Sequence, residues 1–221
     1  HMLKLRGVEV ALANFLASGI LRLGAKLGPI LWQFPPQMKF DAALFRSFFA
    51  LLPQNTRQAI SLARNHDKRL DDRDWLKSDV EQPMRHAVEI RHASFRTPEL
   101  SELLREHKVV GVCADTVEWP RLMDATADFV YCRLHGSERL YASGYGDEAL
   151  DQWAGWIDAW AHGGHPHGPD VRQVVDDGGP DRAARDVFVY FDNDTKVRAP
   201  FDADGLAQRL GVEAMTAAAA S

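Results

Sequence analysis

Apolar positions near the start of the chain recur every three or four residues. In Val8-Glu9-Val10-Ala11-Leu12-Ala13-Asn14-Phe15-Leu16-Ala17-Ser18-Gly19-Ile20-Leu21 this spacing, carried by good helix formers, predicts an opening helix that persists until Leu27-Gly28-Pro29 breaks it. The run Ile30-Leu31-Trp32-Gln33-Phe34, stopped by Pro35-Pro36, predicts a short buried strand. Asp41 is placed to cap a helix over 42–52 that ends at Pro53, and a further helical stretch covers 57–66. The pattern then repeats in kind. A strand over 87–90 is followed by Thr97-Pro98-Glu99, which supplies a capping hydroxyl and a proline at the first helical position, and the helix runs on to 107. Strands are expected over 109–114, 129–134 and 187–191, with helices over 149–161 and 203–210. The alanine-rich end, 215–221, is expected to fray from a single domain spanning 1–214.

Apolar strands alternating with helices imply a parallel sheet covered by helices, an α/β protein. Two architectures fit, an open doubly wound sheet and a (β/α)₈ barrel. No strand is followed by G-x-G-x-x-G or G-x-x-x-x-G-K-[ST], so nothing announces a phosphate loop. Polar residues instead close several different strands, which is the habit of barrels. Composition adds little to this picture. With 46% hydrophobic and 26% charged residues the chain has ordinary globular make-up. Its 26 basic and 31 acidic side chains leave a net charge of −5, which counts against sequence-independent nucleic-acid binding. No run reaches the roughly 18 apolar residues of a membrane span, and no secretory signal opens the chain. Cys113 and Cys132 both lie in apolar strand-like runs and read as reduced core thiols of a cytoplasmic protein.

Four segments taken together resemble one family. They are Leu27-Gly28-Pro29-Ile30-Leu31-Trp32-Gln33-Phe34-Pro35-Pro36, Val88-Glu89-Ile90-Arg91-His92-Ala93-Ser94-Phe95, Asp128-Phe129-Val130-Tyr131-Cys132-Arg133-Leu134-His135-Gly136 and Val189-Tyr190-Phe191-Asp192-Asn193-Asp194. In this order and spacing the set is similar to the YecE-like family, the domain of unknown function 72. The resemblance extends from the opening helix to Leu210. It implies a TIM-barrel-like fold and no established reaction. Members of that family usually begin with a further glycine- and tryptophan-rich strand and one or two more βα units, which this sequence does not show. The resemblance therefore implies an incomplete barrel, short of roughly two or three of its eight strands.

Residues two apart on a strand point the same way. Glu89 with Arg91, Arg133 with His135, Cys113 with Asp115, and Tyr190 with Asp192 thus form pairs at the C-terminal ends of their strands, where barrel active sites are built. Gln33 holds the equivalent place on the first strand. Arg91 and Arg133 carry forks suited to carboxylate or phosphate. His135 exchanges protons near neutral pH, and Glu89 or Asp115 is placed to orient it or to act as a second acid/base group. Asp192 and Gln33 would line the wall, and Tyr141 and Tyr145 would cover the mouth. Two other readings stay open. The charges could simply neutralise one another as buried pairs. Glu89, Asp115, His135 and Asp192 could instead offer oxygen and nitrogen ligands to a divalent cation, although no H-x-H or H-E-x-x-H spacing supports it and no organic-cofactor motif is present.

The leading functional expectation is an enzyme doing acid/base chemistry, hydrolysis included, on a small anionic or polyhydroxylated substrate. The alternative is a non-catalytic module binding a metabolite or a nucleic-acid strand at the same mouth, because fold does not fix function. An incomplete barrel also exposes strand edges, so a homodimer closing the open side is expected.

Overall fold

Helix α1 (Glu9–Ala17) buries Leu12, Ala13, Leu16 and Ala17, the stripe set out by the helical spacing of its apolar residues. It ends well before the sequence predicts. Gly19 takes φ 107°, a left-handed conformation that favours glycine, and the chain continues as a 3₁₀ segment over Ile20–Lys26. In the computed structural model the described residues are 5–136, 144–175, 184–193 and 197–212. The tail expected to fray lies outside them.

Six strands follow: β1 (Ile30–Gln33), β2 (His86–Glu89), β3 (Val109–Gly111), β4 (Cys113–Asp115), β5 (Phe129–Leu134) and β6 (Asp186–Phe191). The helices after α1 are α2 (Ala42–Leu51), α3 (Thr56–Ala63), α4 (Pro98–Glu106), α5 (Asp147–Ala161) and α6 (Ala199–Arg209). Asp41, Asn55 and Thr97 accept hydrogen bonds from the third residue of α2, α3 and α4 respectively, so three of these helices start on side-chain caps. All strand pairs are parallel and fall into two three-stranded sheets, β1-β2-β3 and β4-β5-β6.

The expected strand 109–114 is thus two strands. Val112 separates them and donates its N–H to Val88 O at 2.9 Å, so one extended run pairs with β2 through its first half and with β5 through its second. The architecture is α/β, as the alternation implied. Among the described residues the strands do not close into a barrel.

Each sheet has a helix-covered face. Ile30, Val88, Ile90 and Val109 pack with Phe45, Phe48, Phe49, Leu100, Leu103 and Leu104 from α2 and α4. Cys113, Val130, Cys132 and Leu134 pack with Trp153, Trp156, Ile157 and Trp160 from α5 and with Leu206 from α6. The three tryptophans are therefore core residues, and both cysteines are free, buried thiols. A third apolar group, Ala87, Val110, Val112, Ala114, Phe129 and Tyr131, occupies the opposite face of both sheets, the inner one. Alternation along β2, β4 and β5 accounts for this division. No helix among the described residues is long and apolar enough to cross a membrane.

Candidate functional site

The inner face turns polar where the strands end. Glu89 closes β2, on the same side as Ala87, and its strand partner on β1 is Gln33. Gln33 Nε2 donates to Glu89 Oε1 at 2.8 Å, and Arg91 donates to the same oxygen from Nε at 2.8 Å and from its terminal nitrogen at 2.7 Å. The other carboxylate oxygen accepts from Arg133 of β5. A second terminal nitrogen of Arg133 donates to Asp192 Oδ2, just past β6. His135 lies between the two carboxylates, with Nδ1 3.1 Å from Asp192 Oδ2 and Nε2 3.8 Å from Glu89 Oε2. Five of the expected residues, Gln33, Glu89, Arg91, Arg133 and His135, thus meet Asp192 at the C-terminal ends of β1, β2, β5 and β6.

Access is graded across this group. The side chains of Glu89 and His135 are wholly enclosed, Arg133 and Arg91 are 14% and 17% exposed, and Asp192 is 35% exposed. Burial alone would push the Glu89 carboxyl up. The hydrogen bond with His135, the charge and hydrogen bond of Arg133 and the hydrogen bond with Arg91 outweigh it and hold the group down at about 2. Glu89 is therefore a permanent anion at neutral pH. A buried carboxylate without such partners would cost several kcal/mol.

Asp115 is not brought to this group. Ala114 is the strand partner of Arg133, whereas Asp115 pairs with Leu134 and shares its helix-covered face. Parity along the sequence shows that Cys113 and Asp115 face the same way, but only the pairing shows which way. There Asp115 accepts from Arg121 and hydrogen-bonds the Tyr145 phenol, whose hydroxyl also accepts from Gly136 N–H at 3.1 Å. Desolvation and the Asp115 charge push that phenol well up. Tyr145 is consequently a buried strut, only 3% exposed, and not a cover over the mouth. Tyr141, the other expected cover, lies outside the described residues.

The divalent-cation reading needed Asp115 beside Glu89, His135 and Asp192. With Asp115 on the other face, and Arg133 bonded to both remaining carboxylates, those four do not assemble as a ligand set. Among the described residues no group of three or more His, Cys, Asp and Glu side chains is placed to hold a metal ion.

One contributor was not expected from the sequence. Trp119 carries the Arg91 guanidinium over its ring at 4.4 Å and meets the His135 ring edge-on at 5.4 Å, so it fixes both. Its place in Glu118-Trp119-Pro120, directly after a strand that ends in Asp115, is the one sequence signal for it. Asn193, beside Asp192, is buried and donates to Asp202 of α6 at 2.8 Å, which ties the end of β6 to the helix layer. Asp192, by contrast, faces the ionic group.

The structure is similar to solved proteins of one kind. A DUF72 family protein from Thermotoga maritima MSB8 superposes with a TM-score of 0.53 at 20% identity, over 85% of this chain and 59% of that one. A DUF72 family protein from Enterococcus faecalis V583 superposes with a TM-score of 0.65 at 14% identity, over 95% of this chain and 68% of its own. The chain thus spans about three-fifths of the Thermotoga protein, and likeness at these identities speaks to the fold alone. No match is found among curated proteins. The sequence description of DUF72, a protein of unknown function, matches residues 1–221, and the chain belongs to the DUF72 family.

Proposed function

We propose that the group formed by Glu89, His135, Arg133 and Asp192 does acid/base chemistry on a small polyhydroxylated substrate, hydrolysis being the simplest reaction it would serve. The observation that carries this reading is His135 enclosed between two carboxylates of different character. Glu89, held at about 2, anchors Arg91 and Arg133 and keeps its charge. Asp192 is the carboxylate that meets solvent. A substrate hydroxyl, or a water aimed by it, would give its proton to Asp192 Oδ2, and His135 Nδ1 behind that oxygen would orient it and share the proton. Arg133 would hold the substrate oxygen beside it.

Of the two substrate classes expected from the sequence, the ion pairing supports the polyhydroxylated one. The guanidiniums of Arg91 and Arg133 are already paired with the carboxylates of Glu89 and Asp192, so neither arginine stands open to an anion. Hydroxyl groups ask for paired donors and acceptors instead, and an arginine beside a carboxylate offers both. The same pairing of both arginines supports the enzyme over a module that grips nucleic-acid phosphates. A TIM-barrel-like frame would place this group at the mouth where barrel enzymes work.

The test is turnover of a panel of p-nitrophenyl glycosides and carboxylic esters. The expected result is hydrolysis of at least one glycoside, reduced by on the order of 10²–10⁴-fold in Asp192→Asn and in His135→Asn, the usual span of an acid/base contribution. A folded wild-type protein inert on the whole panel, or variants as active as wild type, would overturn the proposal.

A further inference from the structure

On the helix side of the β4 end lies a polar cleft of about 300 Å³, lined by Arg96, Thr116, Arg121, Gln152, Asp170 and Arg172. Four separate stretches of chain supply these groups: the turn before α4, the loop after β4, helix α5 and the loop beyond α5. Three arginines therefore line a space small enough for one ligand group and large enough for a little more.

The charges do not cancel. Arg121 is matched by Asp115 beneath it. Arg172 bonds the carbonyls of Pro169 and Val171 at 2.6 and 3.1 Å and lies 3.9 Å from the Asp170 carboxylate, which Gln152 holds from the other side at 3.3 Å. Arg96 has no carboxylate partner among the described residues. Among the described residues three positive groups thus meet two negative ones.

The walls are also fixed in advance. Met123 N–H donates to Arg172 O at 3.0 Å, and Arg172 N–H donates to Met123 Sδ at 3.3 Å. Asp124, itself buried, accepts from the N–H groups of Val174 and Val175 at 2.9 to 3.1 Å. The loop carrying Arg172 is therefore strapped to the segment that follows Arg121. Arg96 sits where its N–H closes the short turn over Ala93–Phe95, immediately before the Thr97 cap of α4. The backbone that carries Arg172 therefore needs little ordering when a ligand arrives.

We propose that this cleft binds the phosphoryl group of a small phosphate monoester. Three arginines from separate stretches of chain suit a tetrahedral group with three free oxygens better than a planar carboxylate, and the hydroxyl and amide of Thr116 and Gln152 in the same lining would suit the alcohol portion of an ester. The site is separate from the acid/base group on the inner face and does not rest on that reading.

The experiment is calorimetric titration at low ionic strength with glycerol 3-phosphate, and in parallel with inorganic phosphate, acetate and glycerol. Glycerol 3-phosphate is expected to bind saturably at one site and more tightly than inorganic phosphate, while acetate and glycerol do not saturate. Arg96→Gln and Arg172→Gln, at exposed positions, are each expected to weaken it at least tenfold with an unchanged melting temperature, whereas Lys77→Gln, remote from the cleft, leaves it unchanged. Failure of the ester to saturate would overturn the proposal. So would binding unaffected by both arginine variants, or acetate or inorganic phosphate binding as tightly as the ester.

Discussion

Glu89→Gln is the substitution whose cost the structure defines best. The side chain is wholly enclosed and takes hydrogen bonds from Gln33, Arg91 and Arg133, so the amide keeps the shape and discards the charge that holds both arginines. A carboxyl moved from its ordinary 4.5 to about 2 favours the folded state by about 3 kcal/mol. Removing one partner of a buried ion pair costs roughly 3–5 kcal/mol by an independent route. The two agree on a loss of about 3 kcal/mol, which for a chain of this size lowers Tm by on the order of 10 °C. The sign in pH follows from the direction of the shift. The folded-state value is depressed, so this stability is fully present above about 4.5 and is lost as pH falls toward about 2. Urea unfolding of wild type and Glu89→Gln, followed by tryptophan fluorescence at a series of pH values, reads the difference directly. A constant gap above pH 4.5 that closes on acidification is expected. A gap below about 1 kcal/mol at neutral pH would show that the group behaves as an exposed pair, and would refute the reasoning.

Three further outcomes are expected. His86 is buried, accepts from Trp32 Nε1 at Nδ1 and donates from Nε2 to Pro53 O; desolvation, partly opposed by that carbonyl, lowers its pKa, so its contribution is present above the ordinary 6.5 and lost as pH falls below it. Denaturation midpoints measured from pH 7.5 down to 5 should fall, and fall less in His86→Gln; identical slopes would contradict this. Phe45, fully buried with its ring against Phe34, Phe40, Phe49 and Phe95, should cost about 3–5 kcal/mol on replacement by Ala, measured by urea unfolding, and a loss near 1 kcal/mol would show that the site collapses around the gap. The outer edge of β1 pairs with no other strand among the described residues and borders an apolar groove of about 1070 Å³, so light scattering at rising concentration should report a dimer, and a monomer throughout would contradict that.

Local features of the fold were legible because local chemistry decides them. Asp41 and Thr97 start helices with their side chains, and the apolar runs around Val88 and Val130 have no alternative to a buried strand. The end of α1 was not legible in the same way, since an apolar helical pattern continues past Gly19 and only the backbone there reverses it. The break at Val112 was equally hidden, because an unbroken apolar run carries no mark of which neighbour each half will pair with. For the site, period-two counting placed Glu89 with Arg91 and Arg133 with His135 on one face, the second member of each pair lying just past the end of its strand. Asp115 escaped it because its face is decided by the Ala114–Arg133 register, a fact about two strands and not one. Trp119 and Arg121 come from an irregular loop, where no period applies.

In the proposed reaction a substrate reaches His135 through Asp192. ¹⁵N-histidine-labelled protein titrated with a panel of hexoses and methyl glycosides tests it most directly, because His86, equally buried but bonded to Trp32 and Pro53, serves as the control within the same spectrum. The expected result is a saturable shift of the His135 imidazole nitrogens by at least one sugar, with His86 unmoved and the response abolished in Asp192→Asn. A spectrum in which His135 stays fixed throughout, or moves just as much when Asp192 is replaced, would contradict the account.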